Sequence, residues 1–248
     1  MVHSYKSVFI SDVHLGTAAS QATKLLKFLK SFNCENLFLV GDIIDGWAMQ
    51  GKVYWPTSHN DVVQQLLKMA KSGVKIYYIP GNHDEVIRPF IGEGLHFGNI
   101  IFTTEYTYAY EPEGPNTKKT YLITHGDRFD VVIRKAKWLA HLGSWAYDVS
   151  IFFNTQFNKI RDIFGLPHWS LANYLKYKVK TAVNFIGDYE KVLKNYAEQQ
   201  GVDGIICGHI HHPALQFGDI DYLNCGDWVE NCSAIIEHEN GEWELLKW

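Results

Sequence analysis

Ser7 to Gly16 reads SVFISDVHLG, an apolar run of β-type residues followed at once by Asp12 and His14, two positions apart. Ligand sites in α/β sheets form at the carboxyl ends of strands, so this stretch is either a loop that happens to be polar or one corner of a site. The same arrangement recurs four times downstream. LFLV (37–40) leads into GDIIDG with Asp42 and Asp45, and IYYIP (76–80) into GNHD with Asn82, His83 and Asp84. YLIT (121–124) leads into HGD with His125 and Asp127, and GIIC (204–207) into GHIHHP with His209 and His211. Taken singly, each cluster has an explanation as a turn, a helix cap or a loop, although GHIHH is stronger, because three imidazoles in four residues behind a buried strand are costly to place and are the commonest metal ligands. Five in succession, each behind a strand-like run, predict one shared rim.

The segments between the runs supply the fold class. ATKLLKFLKSF (22–32) and DVVQQLLKMAKSG (61–73) have helical apolar spacing, the second with a glycine stop. Alternating with SVFI, NLFLV and KIYYI, they predict a parallel βαβ sheet. NIIF, YTYAY and TYLI follow as short strands, with EPEGPNTKK (111–119) as a hairpin turn, and GIIC, ALQF, IDYLNC, SAIIEH and EWELLKW close the chain as strands. The expectation is a sheet-rich α/β sandwich. Residues 128–200 show no strand pattern and read as helices broken at HLGS, FGLPHW and IGDY. The predicted organisation is therefore a core of 1–127 and 201–248 with a helical cap insertion at 128–200. The aromatic residues of that insertion are read first as its own core. The second reading is an inner face that meets a greasy substrate or a membrane surface.

A chain of 248 residues, 46% hydrophobic and 20% charged, is globular and long enough to bury a core without disulfides. Cys34, Cys207, Cys225 and Cys232 have no paired ligand spacing and read as reduced thiols of a cytosolic protein. No apolar stretch approaches the roughly 20 residues of a membrane span, and the first apolar run is too short for a signal peptide. The expected location is the cytoplasm, with peripheral contact between the cap and the inner face of a membrane. Net charge is −4, but residues 128–200 hold 11 Lys and Arg against 6 Asp and Glu. A basic insertion in an acidic chain lacks the broad basic groove of a nuclease, so nucleic acid is not an expected partner.

Asp12, His14, Asp42, Asn82, His125, His209 and His211 offer seven oxygen and nitrogen donors. That exceeds what one ion with an open position takes from protein, and two ions sharing a bridging carboxylate fit the count. Two divalent ions about 3.5–4 Å apart turn a shared water into hydroxide near neutral pH and clamp a phosphoryl group during in-line displacement. Hydrolysis of a phosphate ester or anhydride is the expected chemistry. A donor set without thiolate suits Mn²⁺, Fe or Zn²⁺, with manganese expected first.

Taken together, Asp12-x-His14, Gly41-Asp42-x-x-Asp45, Gly81-Asn82-His83-Asp84, His125 and Gly208-His209-x-His211 resemble the calcineurin-like metallophosphoesterase superfamily, from residue 10 to residue 212. The resemblance implies a four-layer αββα sandwich. It implies Asp12, His14, Asp42 and His211 on one metal and Asp42, Asn82, His125 and His209 on the other, with Asp42 bridging. His83 would face the scissile phosphate and protonate the leaving oxygen, a contribution of about 10²–10⁴ in rate, and Asp84 would orient its ring. Asp45 and Asp127 read as partners of ligand imidazoles.

Length, the insertion behind HGD, and NCGDWVE with Gly226-Asp227-Trp228 are similar to the UDP-2,3-diacylglucosamine pyrophosphatases of lipid A synthesis. That similarity implies a lipid-linked nucleotide diphosphate as substrate and a cap that holds acyl chains. The group carries Arg where this chain has His83, and Arg supports a diphosphate by charge whereas His supports acid catalysis. Arg128, Lys176, Lys178 and Lys180 are the candidate substrate contacts, with 176 and 180 on one helix face. The alternatives are a phosphodiesterase for a different nucleotide or nucleic acid, and a metal-dependent interaction scaffold. The filled donor positions and His83 argue against the scaffold.

Overall fold

A computed structural model describes residues 3–51, 53–92, 94–110, 118–130 and 186–248. β1 (His3–Ile10), α1 (Ala22–Leu29), β2 (Phe32–Val40), α2 (Thr57–Lys71) and β3 (Lys75–Ile79) form two successive βαβ units with the three strands parallel and adjacent. A one-turn α3 (Arg88–Ile91) precedes β4 (His96–Phe97) and β5 (Ile100–Phe102), and β5 continues the sheet parallel to β3. β11 (Ser233–Glu237) and β12 (Trp243–Lys247) complete it as antiparallel strands, in the order β12-β11-β1-β2-β3-β5-β4. The second sheet contains β6 (Tyr106–Tyr110), β7 (Lys119–Ile123), β8 (Gly204–Cys207), β9 (Ala214–Gln216) and β10 (Asp221–Asn224). Its order is β6-β7-β8-β10-β9, with β7, β8 and β10 parallel.

Side chains alternate across a strand, and this parity builds the layers. Val8, Ile10, Leu37, Leu39, Ile76 and Tyr78 pack against Leu25, Phe28 and Leu29 of α1 and Val62, Leu66 and Met69 of α2. Their neighbours Phe9, Phe38, Val40, Tyr77 and Ile79 meet Tyr121, Ile123, Ile206 and Leu223 of the second sheet. Phe9, Phe38 and Tyr77 are register partners, and their rings stack with centroids 4.7 and 4.6 Å apart. Burying each such ring is worth about 1.5–3 kcal/mol. On the outer face of the second sheet, α4 (186–199) buries Leu193 and Ala197 and places the Lys194 ammonium 5.7 Å from the Tyr222 ring centre. Helix, sheet, sheet and helix make a four-layer α/β sandwich, as the resemblance implies.

Two boundaries differ from the sequence reading. The first helix stops at Leu29, because the Ser31 hydroxyl closes on the Phe28 carbonyl at 2.7 Å and Phe32 already pairs with His3. α2 begins at Thr57, where Pro56, with φ −70, is suited to a helix entry. The chain divides into two compact units, Met1–Asp127 with Leu193–Trp248, and Arg128–Val192. Both sheets, α1, α2 and residues 193–199 of α4 belong to the first. Most of the expected cap, and residues 111–117 of the expected hairpin turn, lie outside the described residues.

Candidate metal centre

The polar clusters follow the carboxyl ends of β1, β2 and β3 in one sheet and of β7 and β8 in the other. Six candidate donors fall into two groups, Asp12 with His14 and His211, and Asp42 with His125 and His209, each with its ligand atoms within 4.8 Å of one another, and a third group of the same kind joins His14 to Asp45 and His83. The first two groups take residues from both sheets, the third from one. His211 Nε2 lies 3.2 Å from Asp12 Oδ1 and 3.4 Å from His14 Nε2, and His125 Nε2 lies 3.3 Å from Asp42 Oδ2. The seventh donor, Asn82 Oδ1, is buried without a hydrogen-bond partner.

Backbone conformation marks the same residues. Asp12, His14, Asp42, His209 and His211 have φ of 52, 52, 54, 73 and 52°, and Cys232 is the one other non-glycine with positive φ among the described residues. Left-handed backbone at such residues costs about 1–3 kcal/mol each and persists only where the surroundings over-determine it. Here Asp12 N–H donates to the Gly41 carbonyl at 3.0 Å, and His14 N–H to the Asp42 carbonyl at 2.9 Å, tying the first two loops together. Glycine is needed at 81 and 208 because a Cβ would enter the Asp42 carboxylate and His125 ring in one case and Ser11 and Asp12 in the other.

Asp12 and Asp42 are almost completely buried. Burial alone would raise both carboxyls. Asp12 is nevertheless held below its usual range by the His211 hydrogen bond and the charges of His125 and His211. Asp42 is held down by His125 and by the His83 N–H at 2.8 Å. Burial opposes charge on His125 too, but Asp42 wins and lifts the imidazole to about 10. The ring's tautomer follows from its partners: Nδ1 sits 2.8 Å from the Val40 carbonyl, which can only accept, so Nδ1 donates and Nε2 faces Asp42. His14 is oriented in the same way, Nδ1 on Asp45 Oδ2 at 3.0 Å and Nε2 towards its group. Asn82 Oδ1 is buried with no hydrogen-bond partner, and Asp12 Oδ1 and His125 Nε2, also buried, meet only the ionic neighbours of their own groups, His211 Nε2 at 3.2 Å and Asp42 Oδ2 at 3.3 Å. A divalent cation supplies what they lack, and these residues fit one.

His83 stands beside the two groups, with Nε2 4.0 Å from Asp42 Oδ2. The expectation that Asp84 orients its ring is corrected: His83 Nδ1 lies 2.9 Å from Asp45 Oδ2, the oxygen that also holds His14. Asp84 turns inward and is spent on the loop, accepting from the N–H groups of Gly81 and Ile43 and from the Tyr78 hydroxyl. Asp127 also differs from its expected role. It pairs with Arg88 at 2.8 Å to both carboxylate oxygens, while Arg88 also donates to the Pro80 carbonyl. Sequence reading missed Trp47, whose ring centre is 4.3 Å from that of His83 and which is 48% exposed. Its place two residues after Asp45 was the available signal. Of the candidate substrate contacts, Arg128 is exposed with its guanidinium 5.2 Å from the Phe129 ring centre. Lys176, Lys178 and Lys180 lie outside the described residues.

Proteins similar to this chain include UDP-2,3-diacylglucosamine hydrolases of Histophilus somni and Xanthomonas campestris pv. campestris. The first is 31% identical over 255 residues, covering 95% of this chain and 97% of that protein. The second is 32% identical over 254 residues, covering 95% and 96%. Among solved structures, an archaeal phosphodiesterase covers 98% of this chain and 99% of its own at 12% identity and a TM-score of 0.41. The family model of the calcineurin-like phosphoesterases matches residues 5–213, a span that opens before Asp12 and closes after His211, and the chain belongs to that family of hydrolases.

Proposed function

We propose that this chain is a two-metal hydrolase of a lipid-linked nucleotide diphosphate of the UDP-2,3-diacylglucosamine kind. The observation that carries the metal reading is that two of the three donor groups, Asp12 with His14 and His211 and Asp42 with His125 and His209, are each drawn from both sheets. Asp12, His14, Asp42 and His211 would hold one ion and Asp42, Asn82, His125 and His209 the other, with Asp42 shared. When bound, divalent ions supply a nucleophilic water at neutral pH and stabilise charge on phosphoryl oxygens, with manganese expected first and iron or zinc also suited to the donors. Similarity to the two hydrolases over 95% of the chain supports the substrate. The basic, aromatic insertion is assigned to the lipid part and to peripheral contact with a membrane surface. Among the described residues no helix is long and apolar enough to cross a membrane.

Proton transfer falls to His83. Asp45 fixes its Nδ1, so Nε2 is the nitrogen presented to the reacting centre, where it hands a proton to the leaving oxygen. This placement favours a second reading. A phosphate leaving group, with a pKa of about 6, has little need of an acid. An alkoxide has a strong one, so His83 suits a phosphodiester as well as a diphosphate. The deciding assay compares UDP-2,3-diacylglucosamine, small nucleotide diphosphates and an alkyl phosphodiester with added Mn²⁺. Release of UMP from the lipid-linked substrate, with slow turnover of the small ones, is expected. Good turnover of a small phosphodiester and none of the lipid would overturn the substrate. Absence of hydrolysis with every divalent ion would overturn the chemistry.

A further inference from the structure

The loop that carries His209 and His211 is gripped by groups outside the two donor sets. Asn224, at the end of β10, donates from Nδ2 to the Gly208 carbonyl at 3.0 Å, and Asn231 donates from Nδ2 to the His211 carbonyl at 3.0 Å. The two amides hold the segment at both ends, and His209 and His211, the left-handed residues, lie within it. Asn231 is itself fixed. Its Nδ2 also reaches Asp227 Oδ2, and the fully buried Asp227 accepts the backbone N–H groups of Val229, Glu230 and Asn231 through Oδ1.

The adjacent residue reaches the other sheet. Trp228 donates its backbone N–H to the Asp12 carbonyl at 3.0 Å, and its indole is fully buried with its ring centre 5.1 Å from that of Phe28. Just before it, Gly226 sits against Pro213, so close that a Cβ would lie 2.9 Å from the proline. A carboxylate that merely closes a tight turn would account for the three bonds to Asp227 Oδ1. It would not account for one turn touching both Asp12 and His211, whose donor atoms are 3.2 Å apart in the same group.

We infer that the turn Asp227–Asn231 is a positioning device for the ion held by Asp12, His14 and His211. The inference rests on the two-ion reading above. Left-handed backbone at non-glycine residues relaxes unless it is held. Trp228 N–H holds Asp12 and Asn231 Nδ2 holds His211, so the turn fixes the directions in which a carboxylate from one sheet and an imidazole from the other leave the backbone. The Asp42, His125 and His209 group is supported from Asn224 through the Gly208 carbonyl, beside His209, and keeps that support when Asn231 is changed. Loss of a group that orients a ligand costs about 10- to 100-fold in metal affinity, and here the loss falls on one ion of two.

Metal-free wild type and Asn231→Leu, a substitution of similar size without donors, are titrated with Mn²⁺ and followed by electron paramagnetic resonance. Wild type is expected to take up two equivalents with a spin-coupled signal. The variant is expected to take up one at wild-type affinity, to bind the second about 10- to 100-fold more weakly, and to show a single-ion spectrum at low loading. Asn231→Ser, which keeps one donor, is expected to fall between them and carries the comparison should the leucine variant not fold. Two equivalents at wild-type affinity in the variant overturn the inference. So does loss of both in a variant whose metal-free unfolding curve matches wild type. A wild type that takes up one equivalent overturns the two-ion reading instead, and the inference is then decided by whether that equivalent weakens in Asn231→Leu.

Discussion

Asp45 serves two imidazoles through one oxygen, His14 at 3.0 Å and His83 at 2.9 Å, so a proposed metal ligand and the proposed acid share a single support. The two functions separate by mutation. His83→Ala is expected to lower kcat on an alkyl phosphodiester by about 10²–10⁴, to affect a diphosphate far less, and to leave metal content unchanged. Asp45→Asn is expected to weaken metal binding by about 10- to 100-fold as well as slow the alkyl substrate, because the Ala48 N–H keeps the amide oxygen and a donor then faces both rings in place of Oδ2. Kinetics on the two substrates beside metal analysis check both; equal losses for His83→Ala on both substrates would remove His83 as the acid. His125 adds a pH signature. In metal-free protein its imidazole titrates at about 10, so an ion binding at pH 8 must displace a proton. Calorimetry in buffers of different ionisation enthalpy is expected to show proton release, and identical heats in all buffers would contradict it.

At the scale of elements, conformation and packing are separable. Gly81→Ala drives a methyl group into the Asp42 carboxylate and the His125 ring, so it is expected to abolish metal uptake while the unfolding transition stays cooperative. Phe38→Ala removes the middle ring of the stack that runs across β1, β2 and β3 and is expected to cost about 3–5 kcal/mol with donor geometry kept, measured by denaturant unfolding. The contrast mirrors what was legible in the sequence. Runs such as SVFI and KIYYI and the clusters behind them depend on neighbours within a few residues, so they predict strands, helices and all six grouped donors. The ends of α1 and β2 were hidden because the half-buried start of β2 alternates and lacks an apolar run. The partner of His83 was hidden for another reason: Asp84 is adjacent in the chain but turned towards Tyr78, whereas Asp45 comes from another loop. The hold of Asn231 on His211 has no local pattern at all.

For the whole molecule, the charges buried between the sheets set how stability depends on pH. Asp12 and Asp42 titrate lower folded than unfolded, so their contribution is present above an unfolded value of about 3.9 and is lost as pH falls through the folded values. His125 works in the opposite sense. Its folded value is raised, so its contribution is complete below about 6.5 and is lost as pH climbs to about 10. In chelator, the unfolding temperature is expected to decline between neutral pH and pH 10, and saturating metal, which replaces the His125 proton, is expected to flatten that decline. An alkaline limb unaffected by metal would show that His125 is not the group involved.

Each donor group joins residues from distant parts of the sequence, and Asp12 and His211 are the extreme case. At about 5–20 residues per second, a ribosome needs about 10–40 s after making the first of them to reach the second. During that interval, carboxylates and imidazoles leave the exit tunnel singly or in pairs, with no geometry by which to prefer one ion over another. The choice of metal thus belongs to the finished protein after the two sheets have closed.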